Sequence, residues 1–191
     1  MEKRISSIPN ILTGIRMVCI PIIFACLSFS GRSWGLIAAA WMGLAFITDM
    51  LDGFFARRFN SVTAVGKFLD PLADKILVSV ALIMLLSMQR VPTWMVVVII
   101  VREMAVTGLR SIAQERGIII PADRLGKYKT IFQDIALIGL CINYEYLGID
   151  FHKIGMGFMW IAVFLTILSG LMYFKRFGSL ILEIQDGKNK R

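Results

Sequence analysis

Four aspartates carry the most specific chemistry in this sequence. Asp49, Asp52, Asp70 and Asp74 fall within 26 residues, as Asp49-Met-Leu-Asp52-Gly53-Phe-Phe-Ala56-Arg57 and then Gly66-Lys-Phe-Leu-Asp70-Pro-Leu-Ala-Asp74. Spacings of three and four put each pair on one face of a helix. Ion pairs with Arg57, Lys67 and Lys75 would account for one or two of these acids, not four on matched faces. An all-oxygen carboxylate set without Cys or His suits Mg2+ or Mn2+, and Ca2+ less well. Four carboxylates on two helices can bridge two ions about 3.5–4 Å apart, an arrangement that serves phosphoryl chemistry. The spacing leaves open whether one ion binds or two. Gly53 removes a side chain where a nucleotide or pyrophosphate could approach, Ala56 keeps the same face small, and Arg57 offers a fork for phosphate oxygens.

The elements that must position these acids are transmembrane helices. Of the 191 residues 57% are hydrophobic, yet 18% are charged and the net charge is +8. That much apolar surface excludes disorder and a soluble domain of this size, and with it a soluble nucleic-acid binder. Six apolar segments, 8–30, 34–56, 65–88, 91–113, 127–147 and 154–174, each approach the roughly 20 residues a bilayer core requires. With the N-terminus in the cytoplasm, only Arg32, Arg90 and Lys153 fall on the far side. Arg16, Lys75, Arg102 and Arg110 lie within spans, which leaves 14 of the 21 Lys and Arg in the cytoplasm. This bias predicts an all-α, multi-pass protein of the cell membrane with both termini cytoplasmic and a basic rim suited to anionic lipids. Residues 1–177 form the membrane domain and 178–191 a cytoplasmic tail, read as a short interfacial helix and a loose end.

A site between the second and third spans would lie at the cytoplasmic edge, within reach of a soluble cosubstrate. One membrane Asp costs about 2.5–3.5 kcal/mol at a helix centre and less near the interface, so four acids there call for a function. A second polar group lies further on. Arg102, Glu103 and Arg110 fall in the fourth span, the two arginines about two turns apart on one face. Gly126-Lys127-Tyr-Lys129-Thr130 opens the fifth. Buried cations need anionic partners. Pairing with Glu103 or the motif acids is one solution, and a phosphorylated substrate is another. The other features are bland. Cys19, Cys26 and Cys141 read as small buried hydrophobes, and His152 as a surface-loop residue. Gly155, Gly157, Ser169 and Gly170 would allow close packing of the last span. Pro9, Asn10 and Arg16 interrupt the first apolar run, which argues against a cleaved leader.

The spacing D-x2-D-G-x2-A-R-x8-G-x3-D-x3-D resembles the signature of the CDP-alcohol phosphotransferase family, with every fixed position present. That resemblance implies a six-helix membrane enzyme that transfers a phospho-group from a CDP-linked lipid to an alcohol and releases CMP. It implies Asp49, Asp52, Asp70 and Asp74 as ligands of Mg2+ or Mn2+, two ions in all, and Asp74 also as the base. Gly53, Arg57 and Thr63 match positions that contact the CDP moiety. The Arg-Glu-x6-Arg stretch, the Gly-Lys-x-Lys-Thr stretch and Pro9-Asn10-x2-Thr13-x2-Arg16 resemble the glycerol-phosphate branch of the family. The implied reaction joins CDP-diacylglycerol to sn-glycerol 3-phosphate. Arg102, Arg110, Lys127 and Lys129 are then candidates for the acceptor phosphate, with Thr13 and Arg16 supporting the site. The family's habit implies a homodimer. Inositol phosphate and phosphatidylglycerol are rival anionic acceptors, and a small secondary transporter is the rival of another class.

Overall fold

A computed structural model describes residues 7–59, 64–115 and 124–189, with side chains described over 12–51, 69, 71–114 and 125–178. Within these residues the chain forms six helices: α1 Ser7–Ser28, α2 Arg32–Phe59, α3 Ala64–Ser87, α4 Thr93–Glu115, α5 Arg124–Ile142 and α6 Phe151–Asn189. Helices occupy all six expected segments. Two stretches, Arg32–Leu51 and Phe151–Gly178, are long and apolar enough by themselves to cross a bilayer. Among the described residues Leu12–Ser28 of α1 is a shorter apolar stretch.

Two boundaries differ from the sequence reading. The fifth helix stops at Ile142 rather than near 147, because Asn143 turns to a positive φ of 59°. The next residues pair as a short hairpin, β1 Glu145–Tyr146 with β2 Ile149–Asp150, closed by Leu147 and Gly148, both at positive φ. The sixth helix begins at 151 because Asp150 caps it. The Lys153 backbone N–H donates to Asp150 Oδ1 at 3.0 Å, and the Lys153 ammonium lies 3.1 Å from the other oxygen. These contacts hold the Asp150 carboxyl below its usual range. The helix then continues to Asn189, so the separate short helix expected after 178 is replaced by an extension of α6. His152 lies in the first turn of α6 rather than in a loop, its Nδ1 2.8 Å from Asn143 Oδ1.

The side chains are sorted for an apolar solvent. Large hydrophobics such as Val101, Phe164 and Leu171 face outward, while Arg16, Lys129, Gln133 and Asp134 are buried. A continuous apolar core links α1 to α6 through Ile23, Met42, Leu85, Ile99, Leu137 and Met159. Cys19, Cys26 and Cys141 are buried, free thiols within it. Arg90 lies just after α3. It donates to the carbonyls of Leu140 (3.1 Å) and Cys141 (2.9 Å) and so caps α5.

Among the described residues the α5–α6 contact is the most extensive. It depends on Gly139 and Gly155, since a Cβ on Gly155 would stand 2.8 Å from the Leu140 backbone nitrogen. Gly170 packs on the Arg102 side chain, whereas Gly157 has no heavy atom within 4 Å of its Cβ position and takes no part in close packing. Gly155→Ala is therefore expected to cost about 1–3 kcal/mol through overpacking and to lower the melting temperature in detergent. Gly157→Ala should leave it unchanged or slightly higher. Equal shifts in the two variants would refute the close-contact account.

Candidate active site

All six helices deliver polar residues to one end of the bundle. On α1, Thr13 and Arg16 are buried, Arg16 completely. Its Nη2 lies 3.1 Å from Asp49 Oδ1 on α2. The Asp49 side chain is 46% exposed, so this pair spends one carboxylate oxygen and leaves the group open to further ligands. On α3, Asp74 faces Arg16 and Lys129 as opposing charges and Asp49 and Glu103 as like charges. Asp134 on α5 is buried against the same Asp49, Asp74 and Lys129 charges.

Asp52, Gly53 and Arg57 lie on the backbone of α2 and Asp70 on that of α3, but their side chains are outside the described residues. Thr63 lies outside them altogether. Pro71 follows Asp70 within α3 and removes one donor from the helical ladder there. The two described motif acids fit a hard divalent cation by donor type, since both offer carboxylate oxygen, with like charges that need neutralising.

The second group is organised around Glu103 on α4. Its carboxylate holds the Lys129 ammonium of α5 and accepts from Arg102 Nη1 at 2.7 Å. Arg102 Nη2 reaches on to Ser169 Oγ of α6 at 3.0 Å. Lys75 Nζ donates to Thr107 Oγ1 at 2.6 Å, and that hydroxyl donates to the Glu103 carbonyl at 2.7 Å. Arg102 and Lys129 thus adopt the pairing that the sequence offered as one of two solutions. Arg110 takes another course, its guanidinium carbon 6.0 Å from the Tyr173 ring centroid. Lys127 is exposed.

Two spaces adjoin this network. A cavity of about 230 Å³ is lined by Arg102, Arg110, Lys127, Lys129, Ser169 and Tyr173, with Glu103 and Thr130 on its wall. A slot of about 20 Å³ lies next to it, lined by Asp74, Lys75, Ser79 and Gln133 among others, and shares Glu103, Lys129 and Thr130 with the cavity. The structure therefore gathers the four candidate cations around one cavity and sets Asp74 behind a shared wall.

A sequence model of CDP-alcohol phosphatidyltransferases matches residues 6–168. The chain belongs to the CDP-alcohol phosphatidyltransferase family. It is therefore a transferase of a substituted phosphate group, within a membrane-bound family that generally uses divalent metals. Among its relatives, CDP-diacylglycerol–glycerol-3-phosphate 3-phosphatidyltransferase of Bacillus subtilis (strain 168) is 41% identical over 186 residues, covering 89% of this chain and 94% of the relative. The protein of the same name from Rickettsia felis is 39% identical over 170 residues, with 88% and 94% covered. That of Pseudomonas fluorescens is 37% identical over 176 residues, with 88% and 89% covered.

For this member of the family, sequence reasoning missed Gln133, Asp134, Ser169 and Tyr173, and read Glu103 only as a pairing partner. Gln133-Asp134 left a signal, two polar residues in an apolar span at four and five positions after Lys129. Ser169 and Tyr173 left none, because their place depends on how α6 crosses α4.

The Glu103 network yields a stability test. Glu103→Ala leaves Lys129 buried with its partner gone and is expected to cost about 3 kcal/mol. Adding Lys129→Met should recover part of that loss. Thermal unfolding of the single and double variants measures the coupling, and strictly additive shifts would refute it.

Proposed function

We propose that the chain transfers the phosphatidyl group of CDP-diacylglycerol to sn-glycerol 3-phosphate, giving phosphatidylglycerophosphate and CMP. The observation that carries this reading is the cationic cavity beside the Asp74 slot. Arg102, Arg110, Lys127 and Lys129 are set against Glu103, which leaves excess positive charge for a phosphorylated acceptor. The names of the relatives support the same substrates.

The acceptor phosphate is held by these cations, with Arg offering bidentate geometry and Lys point charges. The acceptor hydroxyl reaches past the Lys129–Glu103 wall to Asp74. Its oxygen attacks the phosphorus that carries the diacylglycerol group. A new P–O bond forms to the acceptor, the P–O bond to CMP breaks, and CMP leaves with that electron pair. Asp74 takes the hydroxyl proton, which is effective late, as the alkoxide character develops. Arg16 fixes one Asp49 oxygen and so orients that carboxylate. Gly53, Arg57 and Thr63 are assigned to the CDP moiety by their place in the motif. Asp49, Asp52, Asp70 and Asp74 would hold the divalent cations, Mg2+ or Mn2+ and two in number. When bound, these neutralise the pyrophosphate charge and stabilise the leaving group.

The reading includes six transmembrane spans with both termini and the site on the cytoplasmic side, where CMP and the acceptor are soluble. The basic rim would contact anionic lipids, and the homodimer follows from the family resemblance. Residues 1–177 would be the catalytic membrane domain, with 178–191 continuing into the cytoplasm.

The protein purified in detergent should release CMP from CDP-diacylglycerol when given sn-glycerol 3-phosphate with Mg2+ or Mn2+, and chelation should abolish it. Asp74→Asn should lose about 10²–10⁴-fold in turnover while keeping its melting temperature. Absence of CMP release with this acceptor, or release only with inositol phosphate or phosphatidylglycerol, would overturn the acceptor reading. Normal turnover in Asp74→Asn would overturn the base.

A further inference from the structure

We propose that Gln133 is a specificity-determining residue that reads the second hydroxyl of the acceptor. The inference rests on the glycerol-phosphate reading above. Gln133 lies on α5 one turn beyond Lys129 and is 2% exposed. Gln133 lines the Asp74 slot, and among the described residues its Oε1 is buried without a hydrogen-bond partner. A buried amide oxygen left unpaired is costly, so a donor is missing from this corner.

Several of the neighbouring donors are already engaged. Lys75 donates to Thr107, Lys129 to Glu103 and Thr130 to the Gly126 carbonyl at 3.1 Å. The slot, at about 20 Å³, admits a hydroxyl or one water and no phosphate. The cavity next to it, at about 230 Å³, admits the phosphate. A short polyol phosphate can then lie along the shared wall with its anionic end in the cavity and one hydroxyl, the one that does not attack, in the slot. Two groups that line the slot then answer two hydroxyls, only one of which occupies it. Asp74 takes the proton of the one that attacks, and Gln133 accepts from the one that does not. A hydroxyl is both donor and acceptor, so it satisfies the amide whichever end it presents. An acceptor lacking the second hydroxyl leaves that amide unpaired, and the site discriminates against it for that reason.

The test compares sn-glycerol 3-phosphate with 3-hydroxypropyl phosphate, which keeps the attacking hydroxyl and the phosphate and lacks the hydroxyl between them. CMP release gives kcat/KM for each acceptor. The wild-type enzyme should prefer sn-glycerol 3-phosphate by about 10–100-fold. Gln133→Leu, close in size and unable to hydrogen-bond, should bring the two acceptors within about threefold by losing activity on glycerol phosphate alone. Thermal unfolding and binding of CDP-diacylglycerol check that the variant is folded, and Gln133→Met serves if the leucine variant is not. Equal losses on both acceptors, with the ratio kept, would make Gln133 a structural residue or the holder of a bound water and overturn the proposal. A wild-type enzyme that uses both acceptors equally well overturns it without any variant. CMP release with neither acceptor overturns the glycerol-phosphate reading and this inference with it.

Discussion

The Glu103 carboxylate is the interaction on which the polar end of this molecule depends. It lies on α4 and binds Lys129 from α5 and Arg102 from its own helix, and Arg102 reaches Ser169 on α6. Its backbone carbonyl takes the Thr107 hydroxyl that in turn receives Lys75 from α3. One residue thus ties four helices together. In a low-dielectric interior an unpaired ammonium or guanidinium is expensive, and one anion shared by two cations is an economical answer. The geometry of the site follows, because the position of Lys129 is set by Glu103 rather than by packing alone.

The opposite end of the bundle is built on different physics. There the helices meet through apolar side chains and through glycine, with Gly139 against Gly155 and Gly35 against the Cys141 carbonyl. Arg90 closes the end of α5 and a short hairpin turns the chain into α6. This close-packed half holds the helix axes in place. The polar half then carries buried charges and two internal spaces on the same helices without having to supply the packing. Rigid elements of this kind give a site its precision.

Much of this was legible in the sequence, and the parts that were not share a cause. The six helices could be read from apolar length, and the polar breaks at Gly31 to Ser33 and at Gln89 to Pro92 marked turns. Asp49 and Asp74 could be singled out because membrane carboxylates are rare and costly. The premature end of α5 could not, since Asn143 leaves the helix through a backbone angle that neighbouring apolar residues do not announce. Nor could the choice that Arg102 and Lys129 make between an internal acid and a ligand. Charge alone allowed both, and only the approach of α4 to α5 and α6 places Glu103 within reach. Tyr173 shows the same limit, as an aromatic residue in an apolar helix that lines the cavity only because of how α6 crosses α4.

The pairing that stabilises the cationic site also shapes how it would accept an anion. Four cations around one cavity repel one another, and Glu103 lowers that cost while no ligand is present. An arriving phosphate must then share Lys129 and Arg102 with Glu103, which weakens its binding below what four free cations would give. The residual excess of positive charge still favours a dianion over a neutral alcohol, which is what the proposed phosphorylated acceptor requires. Because Lys129 walls both the cavity and the Asp74 slot, a phosphate drawing on Lys129 also changes the field at Asp74. On the proposed reading, Glu103 therefore trades acceptor affinity for a folded, pre-arranged site. The same trade keeps the cations fixed in position before the acceptor arrives, so that less ordering remains to be done at the moment of reaction.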